Sequence, residues 1–353
     1  MTTKVALALG SGGARGYAHI GVLQVLAEHD YEVVAVAGSS MGALVGGLYA
    51  ADRLDEWTEW ATGLSQFDVF KLLDISLSAP GVIHADKIID RVRDMLGETL
   101  IENLRIPFTA VATDLNSGRP MWFQRGEVDE AIRASIAIPG VITPHVLDGR
   151  VYIDGGLLQP LPIAPLAAAG AEVIIAVDVG ADTGGSDDAH EDGSDDGAPR
   201  ESTWDAMMRI AGESSVVRGM VNLFSPHPKG AQETQPEVPD DTERTAVVVE
   251  KNGAGTRGAA SVAAAAVGKL SAFSVMDRSI DIMQEALVRH QLASFPPDVL
   301  IQIPRNSLNS MDFHRAQEMI DLGRALAEQA FDDYAGRSVP HLQRVRTRTS
   351  PTP

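Results

Sequence analysis

The chain of 353 residues contains no cysteine, and only 5% of its residues are aromatic. Without cysteine there can be no disulfide, no cysteine nucleophile and no thiolate metal site, and the composition fits a reducing compartment. Because 44% of the residues are hydrophobic while aromatic ones are scarce, valine, leucine, isoleucine and alanine must fill the interior. The length allows one large core or two moderate ones.

Long apolar runs are also missing. The stretches 163–169 and 173–177 are far shorter than the roughly 18 residues that a membrane-spanning helix needs. The first apolar run, Val5–Leu9, is followed at once by glycines, which indicates a strand rather than the hydrophobic part of an export signal. We therefore expect a cytoplasmic protein without a membrane span, and leave open a peripheral contact with the inner membrane surface.

Basic residues are few, since 29 Lys and Arg face 48 Asp and Glu and give a formal net charge of −19. This charge argues against nucleic acid as a partner, because phosphates would be repelled. It also disfavours docking to anionic lipid by charge alone. Part of the excess is local: Asp182–Asp196 holds seven acidic residues and no Lys or Arg, which predicts a disordered loop.

Short β-branched runs alternate with helical patterns over residues 1–180, which predicts a three-layer α/β/α fold around a mostly parallel sheet. The predicted strands are Val5–Leu9, Val33–Ala37, Phe108–Ala112, Met121–Phe123, Val151–Ile153, Val173–Val177 and Val299–Ile303. The predicted helices are Tyr17–His29, Ala43–Ala51, Asp55–Leu73, Val262–Leu292 and Met311–Phe331.

We expect a single domain, residues 1–335, followed by a flexible tail at 336–353. Acidic residues, Gly, Ser and Pro dominate from about 181 to 258. This composition predicts an insertion with one helix near Trp204–Leu223 rather than a second core.

A glycine-rich segment, Gly10–Gly16, lies between the first predicted strand and the first predicted helix. A loop without Cβ atoms lets backbone N–H groups converge, and the following helix adds its positive dipole end. Such a loop can cradle a phosphate or stabilise the oxyanion of an acyl-transfer transition state. The spacing matches the dinucleotide pattern G-x-G-x-x-G only loosely, and the second strand ends in Gly38-Ser39-Ser40 where an acidic residue would bind the ribose.

Gly38-Ser39-Ser40-Met41-Gly42 is a G-x-S-x-G sequence between a β-branched run and a helix of small residues. A serine on such a strand-to-helix turn has its Oγ pushed out of the sheet, and Gly38 and Gly42 avoid clashes in the strained turn. The helix N-terminus favours developing negative charge. We therefore predict Ser40 as a nucleophile.

A serine hydroxyl needs a positioned base to become a good nucleophile. The predicted strand Val151–Ile153 ends at Asp154, and Gly155 and Gly156 follow as a turn, which makes this carboxylate a candidate. The alternative is a histidine, because Ser40, Asp154 and then His290 or His314 would copy the order of α/β-hydrolases. Against it, only one predicted strand and helix precede the elbow strand, and both histidines are expected to be exposed.

Other residues receive narrower predictions. We expect His19 to pack or to make a local hydrogen bond, and Arg15 to be either a charge stabiliser beside the glycine loop or the partner of an acid. Arg133 is expected to anchor the segment before Pro139. The aromatic stripe Trp57–Phe70 is interpreted as core packing in preference to a cover for an acyl chain.

Together these motifs resemble the patatin-like phospholipase family, in particular its bacterial branch related to the neuropathy target esterase domain. The likeness rests on Gly10–Gly16, Gly38–Gly42 and Asp154–Gly156 in that order, and it covers about residues 4–180. Ala112–Asp114 and Ile132–Gly140 support it. Ser11 departs from the pattern, since family members often have a glycine there.

The resemblance implies a Ser40–Asp154 dyad without histidine, in which Ser40 attacks an ester carbonyl and Asp154 takes its proton and later activates water. The amides of Gly12 and Gly13, with Ala14 or Arg15, would hold the oxyanion. The implied reaction is hydrolysis of lipid esters, of the phospholipase A or lysophospholipase type, with neither cofactor nor metal. Two other classes stay open: a nucleotide-binding module that uses the glycine loop, and a non-catalytic scaffold that binds partners through the acidic insertion.

Overall fold

The computed structural model describes residues 2–29, 31–72, 74–75, 83–84, 86–139, 141–182 and 272–338. By their contacts, Met1–Arg200 and Arg278–Pro353 form one unit and Glu201–Asp277 another. Of the second unit only residues 272–277 are described. The predicted acidic insertion beyond Asp182, its helix near Trp204–Leu223 and the tail beyond Ser338 lie outside the described residues, so the single-domain prediction stays a prediction.

The described strands are β1 (Thr3–Leu9), β2 (Tyr31–Ser39), β3 (Asp74–Ile75), β4 (Ile83–His84), β5 (Phe108–Asp114), β6 (Arg119–Phe123), β7 (His145–Leu147), β8 (Arg150–Asp154), β9 (Val173–Ala181) and β10 (Val299–Pro304). The described α-helices are α1 (Ala18–Glu28), α2 (Met41–Ala50), α3 (Leu54–Thr62), α4 (Gln66–Leu72), α5 (Asp86–Leu96), α6 (Val128–Ser135), α7 (Ala272–Ser294) and α8 (Ala316–Ser338).

Eight strands form one sheet in the order β10-β9-β1-β2-β5-β8-β7, with β6 also paired to β5. Neighbours from β10 to β5 are parallel, whereas β6 and β8 run antiparallel to β5, and β7 runs antiparallel to β8. The predicted α/β fold with a mostly parallel sheet is therefore confirmed, and the antiparallel end was not predicted.

The central strand β1 is buried on both faces, as a parallel sheet between helical layers requires. Val5, Leu7 and Leu9 enter a large core shared with α1, α2, α6 and α8. Ala6 and Ala8 face a smaller core, where they meet Val288 of α7 and the apolar side chains Leu161, Ile163 and Leu166. Because the two faces of one strand feed two cores, the described fold has three layers.

The helix predicted over Asp55–Leu73 is wrong in extent, since it is two helices. The first, α3, ends at Gly63, whose N–H bonds to the carbonyls of Glu59 and Trp60. Ser65 then starts α4: its Oγ accepts the Asp68 N–H at 3.3 Å, and the Asp68 carboxylate accepts the Ser65 N–H at 3.1 Å. This reciprocal capping box fixes a new helix start.

Two further helix predictions need correction. The predicted Met311–Phe331 helix becomes an α-helix only at Ala316, because Phe313–Arg315 form a 3-10 turn, and it extends to Ser338. Of the predicted Val262–Leu292, the part from Ala272 onward is helical and the rest lies outside the described residues. None of the described helices combines the length and the apolar character that crossing a membrane requires.

Candidate active site

Ser40 occupies a strained turn between β2 and α2. Its backbone angles are φ 53° and ψ −121°, and a positive φ outside glycine costs about 1–3 kcal/mol. The Ser40 N–H donates to the Oγ of Ser135 at 2.8 Å, and the Ser135 hydroxyl donates to the Val111 carbonyl at 2.6 Å. Ser135 therefore helps to hold the strained turn, a role that its place in the Ile132–Gly140 motif did not reveal.

The two glycines that flank the turn are required by close contacts. A Cβ on Gly38 would meet the carbonyl oxygen of Gly42, and a Cβ on Gly42 would meet that of Leu9. The first turn of α2 thus lies against the end of β1, and larger residues at either position would force the serine out of place.

The register of the sheet brings Asp154 to the level of Ser40 on the far side of β5. Ser39 pairs with Val111, and the next residue of β5, Ala112, pairs with Asp154. The Ser40 hydroxyl donates to Asp154 Oδ2 at 2.5 Å. The structure therefore joins the predicted nucleophile and the predicted base directly.

Three backbone contacts fix the Asp154 carboxylate and its main chain. The other carboxylate oxygen, Oδ1, accepts the N–H of Gly156 at 2.7 Å. The Asp154 carbonyl accepts the Thr113 hydroxyl at 3.0 Å, and its N–H donates to the Ala137 carbonyl at 2.9 Å. A Cβ on Gly155 would meet the Val111 carbonyl, so the turn after the aspartate is packed closely against β5.

Both members of the pair are shielded from water, with Ser40 3% exposed and Asp154 4% exposed. Burial raises the pKa of Asp154 to about 6, although the hydrogen bonds from Ser40 and Gly156 act in the opposite direction. A carboxylate with a pKa close to neutrality is a stronger proton acceptor than an ordinary aspartate and is still ionised at pH 7.

The glycine loop is anchored by backbone hydrogen bonds to other segments. Three of its N–H groups donate to carbonyls of other segments: Gly10 to Val177 at 3.0 Å, Ser11 to Pro160 at 2.8 Å and Ala14 to Ser310 at 2.8 Å. Within the described part of the chain, the N–H groups of Gly12 and Gly13 have no such acceptor. The expectation that Ala14 adds an oxyanion donor is therefore corrected, because Ser310 already binds that amide.

Gly13 has a backbone conformation that favours glycine. Its φ is +58°, and a Cβ there would meet the carbonyl of Ser310. A Cβ on Gly12 would meet the side chain of Val179. The loop thus packs against β9 on one side and against the segment before α8 on the other.

Arg15 is buried, with 4% of its surface exposed, and its guanidinium binds within the protein. Its Nε–H donates to the Gly12 carbonyl at 3.2 Å, one Nη donates to the Arg305 carbonyl at 3.1 Å, and the other pairs with Asp281 at 3.2 Å. The ion pair with an acidic residue, one of the two roles considered from the sequence, is observed, and the guanidinium also binds the glycine loop itself.

In the described part of the chain, the three histidines considered from the sequence make no hydrogen bond to Ser40 or Asp154. His19 is buried, and its Nε2–H donates to the Gly10 carbonyl at 2.8 Å. Burial lowers its pKa to about 4, so it is neutral at pH 7. His290 is exposed and His314 is half-buried, and among the described residues neither hydrogen-bonds to Ser40 or Asp154.

Ser40 lies beside an apolar cavity. Its other lining residues come from six parts of the chain: Gly13, Tyr17, Met41, Leu44, Trp57, Trp60, Leu64, Val69, Leu72, Ile88, Ile136, Ile138, Val141, Ile142, Met311 and Phe313. The preference for core packing in the Trp57–Phe70 stripe holds for Trp57, which is buried in the large core, and for Trp60, which packs against it. Trp57, Trp60 and Leu64 also line the cavity, whereas Phe67 is 65% exposed. The side chain of Phe70 lies outside the described residues.

Arg133 lies near this wall of the cavity and anchors it. Its Nη2 donates to the carbonyl and the hydroxyl of Thr143 at 3.0 and 2.7 Å. These bonds tie α6 to Thr143, just beyond Ile138 and Ile142, whereas the sequence predicted an anchor for the segment before Pro139.

One group of carboxylates could offer metal ligands among the described residues: Glu127, Asp129 and Glu130, with oxygens within 4.8 Å of one another. Arg93 already binds Asp129 at 2.7 Å and Glu130 at 3.1 Å. The arginine offsets the negative charge, and the arrangement is that of an ordinary ion-pair network.

The sequence of the chain was compared with protein families and with known proteins. Residues 7–167, which contain all three motifs, match the family described as patatin-like phospholipase. An uncharacterized NTE family protein of Mycobacterium tuberculosis is 48% identical over 338 residues, which is 94% of this chain and 92% of that protein. Human patatin-like phospholipase domain-containing protein 6 is 32% identical over 183 residues, 50% of this chain and 13% of that protein.

Among solved structures, VipD from Legionella pneumophila aligns with 50% of this chain and 50% of its own. The sequence identity is 16% and the TM-score 0.32, a likeness too low to support an inference.

Proposed function

The chain belongs to the patatin-like phospholipase family, and we propose that it hydrolyses carboxylic esters of lipids with Ser40 as nucleophile and Asp154 as base. The observation that carries this proposal is the 2.5 Å hydrogen bond between the Ser40 hydroxyl and the Asp154 carboxylate. The pair is buried beside an apolar cavity, so an apolar group of the substrate can bind next to the serine that attacks the ester.

In the first half of the reaction, Ser40 Oγ attacks the ester carbonyl carbon and Asp154 takes the hydroxyl proton. The bond to the leaving alcohol then breaks, and the alcohol carries away the proton from Asp154. In the second half, Asp154 takes a proton from water, which attacks the acyl-serine and releases the fatty acid as Ser40 regains its proton. Each step moves one proton between oxygens that the carboxylate can reach, so no histidine is needed.

The negative charge on the carbonyl oxygen would be met by the Gly13 amide, with Gly12 beside it. These are the two loop amides that have no acceptor among the described residues, and Gly13 lines the same cavity as Ser40. Removing one such donor from a serine hydrolase costs about 10²–10³ in kcat.

The cavity favours an acyl chain as the group bound beside Ser40. Burial of each methylene contributes about 0.8 kcal/mol, so kcat/KM should rise with acyl length until the cavity is filled. We expect phospholipids or lysophospholipids as substrates, as in a phospholipase A or lysophospholipase.

The rival nucleotide-binding function finds less support in the loop. The cavity that Gly13 lines is apolar and holds Ser40, a setting that suits an ester with an acyl chain better than a charged pyrophosphate. Arg15, the one basic side chain of the loop, is bound to protein groups. A scaffold without activity is disfavoured because it would have no need for the Ser40–Asp154 hydrogen bond.

The test is hydrolysis of p-nitrophenyl butyrate and of a lysophospholipid by wild type, Ser40→Ala and Ser39→Ala. Ser39 is the matched control, since it is a buried serine on the same turn and has no hydrogen bond to Asp154 among the described residues. We expect activity to vanish in Ser40→Ala and to persist in Ser39→Ala and in a His290→Gln/His314→Gln double variant. Activity that survives Ser40→Ala would refute the mechanism, and loss in the histidine variant would replace the dyad with a triad.

A further inference from the structure

The guanidinium of Arg15 binds the Gly12 carbonyl, and the orientation of this carbonyl determines the direction of the Gly13 N–H, the candidate oxyanion donor. Its Nε–H donates to the oxygen of Gly12, and that oxygen belongs to the same peptide unit as the N–H of Gly13. No peptide bond in the described residues is cis, and in a planar trans peptide the C=O and N–H point in opposite directions. Fixing the Gly12 carbonyl on the arginine therefore fixes the Gly13 N–H on the opposite side.

The side of the peptide opposite to Arg15 faces the cavity in which the proposed reaction takes place. Gly13 lines the cavity together with Ser40, whereas Arg15 is not among the lining residues. The next amide, that of Ala14, is held by Ser310 at 2.8 Å. The Gly12–Gly13 peptide is thus held between two anchors, one on its carbonyl and one directly after it.

The anchor on the carbonyl is itself fixed by distant parts of the chain. The remaining nitrogens of Arg15 bind Asp281 on α7 and the carbonyl of Arg305 after β10. The planar guanidinium can serve all three acceptors at once, which the single ammonium of a lysine cannot do in the same geometry.

We infer that Arg15 is a positioning residue for the oxyanion site: it acts through the Gly12 carbonyl to aim and polarise the Gly13 N–H. The inference rests on the proposed function. A cationic donor on a carbonyl oxygen draws electron density from the amide, which strengthens its N–H as a donor. Because the peptide is oriented before the substrate arrives, no reorganisation is required when charge develops on the substrate oxygen.

The first test compares Arg15→Lys and Arg15→Met with Arg324→Met. Arg324, on α8, pairs with Glu28 at 2.9 and 2.8 Å on the surface and serves as the matched control. For Arg15→Lys we expect kcat on a p-nitrophenyl ester to fall about 10- to 100-fold with KM within about threefold, because the interaction develops in the transition state. For Arg15→Met the fall should approach the roughly 10²–10³-fold loss of a whole donor.

A second readout separates aiming of the amide from general damage to the fold. An alkyl trifluoromethyl ketone adds Ser40 Oγ to its carbonyl carbon, passes the hydroxyl proton to Asp154 and leaves an oxyanion at the site of interest. The secondary alcohol of the same carbon skeleton fills the cavity without forming this oxyanion. We expect Arg15→Lys to weaken binding of the ketone by the factor seen in kcat/KM and to leave binding of the alcohol unchanged.

Equal kcat in wild type and both Arg15 variants would overturn the inference, and so would equal weakening of ketone and alcohol. If Arg15→Met does not fold, as judged by its thermal unfolding, Arg15→Lys and Asp281→Asn decide. Asp281→Asn loosens the anchor and should lower kcat less than Arg15→Lys, again at constant KM. An inactive wild type would instead refute the proposed function itself, so the two failures can be told apart.

Discussion

Asp154→Asn should make the protein more stable at neutral pH while it removes activity. The carboxylate is buried, and its pKa of about 6 stands above the ordinary 3.8. An asparagine can keep both local contacts, because its carbonyl oxygen can accept the Gly156 N–H and its amide can face the Ser40 hydroxyl. The variant thus removes a buried charge without leaving its neighbours unpaired.

The size of the effect follows from linkage between protonation and folding. At ~1.36 kcal/mol per pH unit, the difference between about 6 and 3.8 corresponds to about 3 kcal/mol. The folded state binds the proton more tightly than the unfolded state, so the unfolding free energy falls as pH rises from the ordinary pKa to the folded one. The loss of unfolding free energy caused by ionisation of Asp154 is complete above pH ~6 and absent below pH ~4.

Urea unfolding of wild type and Asp154→Asn between pH 5 and 8 measures this directly. The advantage of the variant should grow from roughly half of its full value at pH 5 to about 3 kcal/mol at pH 8. A difference in unfolding free energy that stays constant over this range would refute the reasoning, because the buried charge would not be its cause.

Asp114→Asn is the matched control at the other end of the same strand pair. There the N–H groups of Ser117 and Asn116 and the nearby Arg150 lower the pKa of Asp114. Its carboxylate therefore stabilises the fold above its ordinary pKa, and the stabilisation is lost as pH falls through the lower folded value. Asp114→Asn should be less stable than wild type by an amount that hardly changes from pH 5 to 8, the opposite sign to Asp154→Asn.

Three further predictions concern the same site. The kcat/KM for an ester should fall about tenfold per pH unit below pH ~6, because only ionised Asp154 accepts the serine proton; a flat profile would contradict this. Ile142 lines the cavity, so Ile142→Trp should reduce the space for an acyl chain. The ratio of kcat/KM for p-nitrophenyl palmitate to that for p-nitrophenyl butyrate should drop by about tenfold or more, and an unchanged ratio would show that the acyl chain binds elsewhere. Gly13→Ala should lower the free energy of unfolding more than Gly118→Ala, because both glycines have a positive φ but only Gly13 has a neighbour, Ser310, where the Cβ would lie. Equal losses would mean that backbone strain alone, and not the contact with Ser310, causes the destabilisation.

The parts of the site that the sequence predicted depend on local signals. The turn around Ser40 needs a strand, a serine between glycines and a helix, and all three lie within a few residues of one another. The same is true of Asp154 at the end of β8 with two glycines after it. Local sequence therefore predicted both candidate residues and the α/β fold class, although their catalytic roles stay a proposal.

The parts that the sequence did not predict depend on contacts between distant segments. Ser135 binds the Ser40 amide from 95 positions away, and Asp281 pairs with Arg15 from 266 positions away. The engagement of the Ala14 amide by Ser310 is of the same kind. Periodicity and turn residues carry no information on such pairings, and they gave no sign that β8 would run antiparallel to β5.

A serine paired directly with a carboxylate meets a requirement that a histidine would otherwise satisfy. An aspartate of ordinary pKa is too weak a base to take a serine proton, so a dyad needs a carboxylate whose pKa is raised towards neutrality. Here burial raises it, and burial also destabilises the ionised fold. The Gly156 N–H holds the carboxylate directly, while the Thr113 hydroxyl on the Asp154 carbonyl and the Asp154 N–H on the Ala137 carbonyl fix its main chain. The same burial that weakens the fold at pH 7 would therefore provide the basicity that the proposed dyad requires.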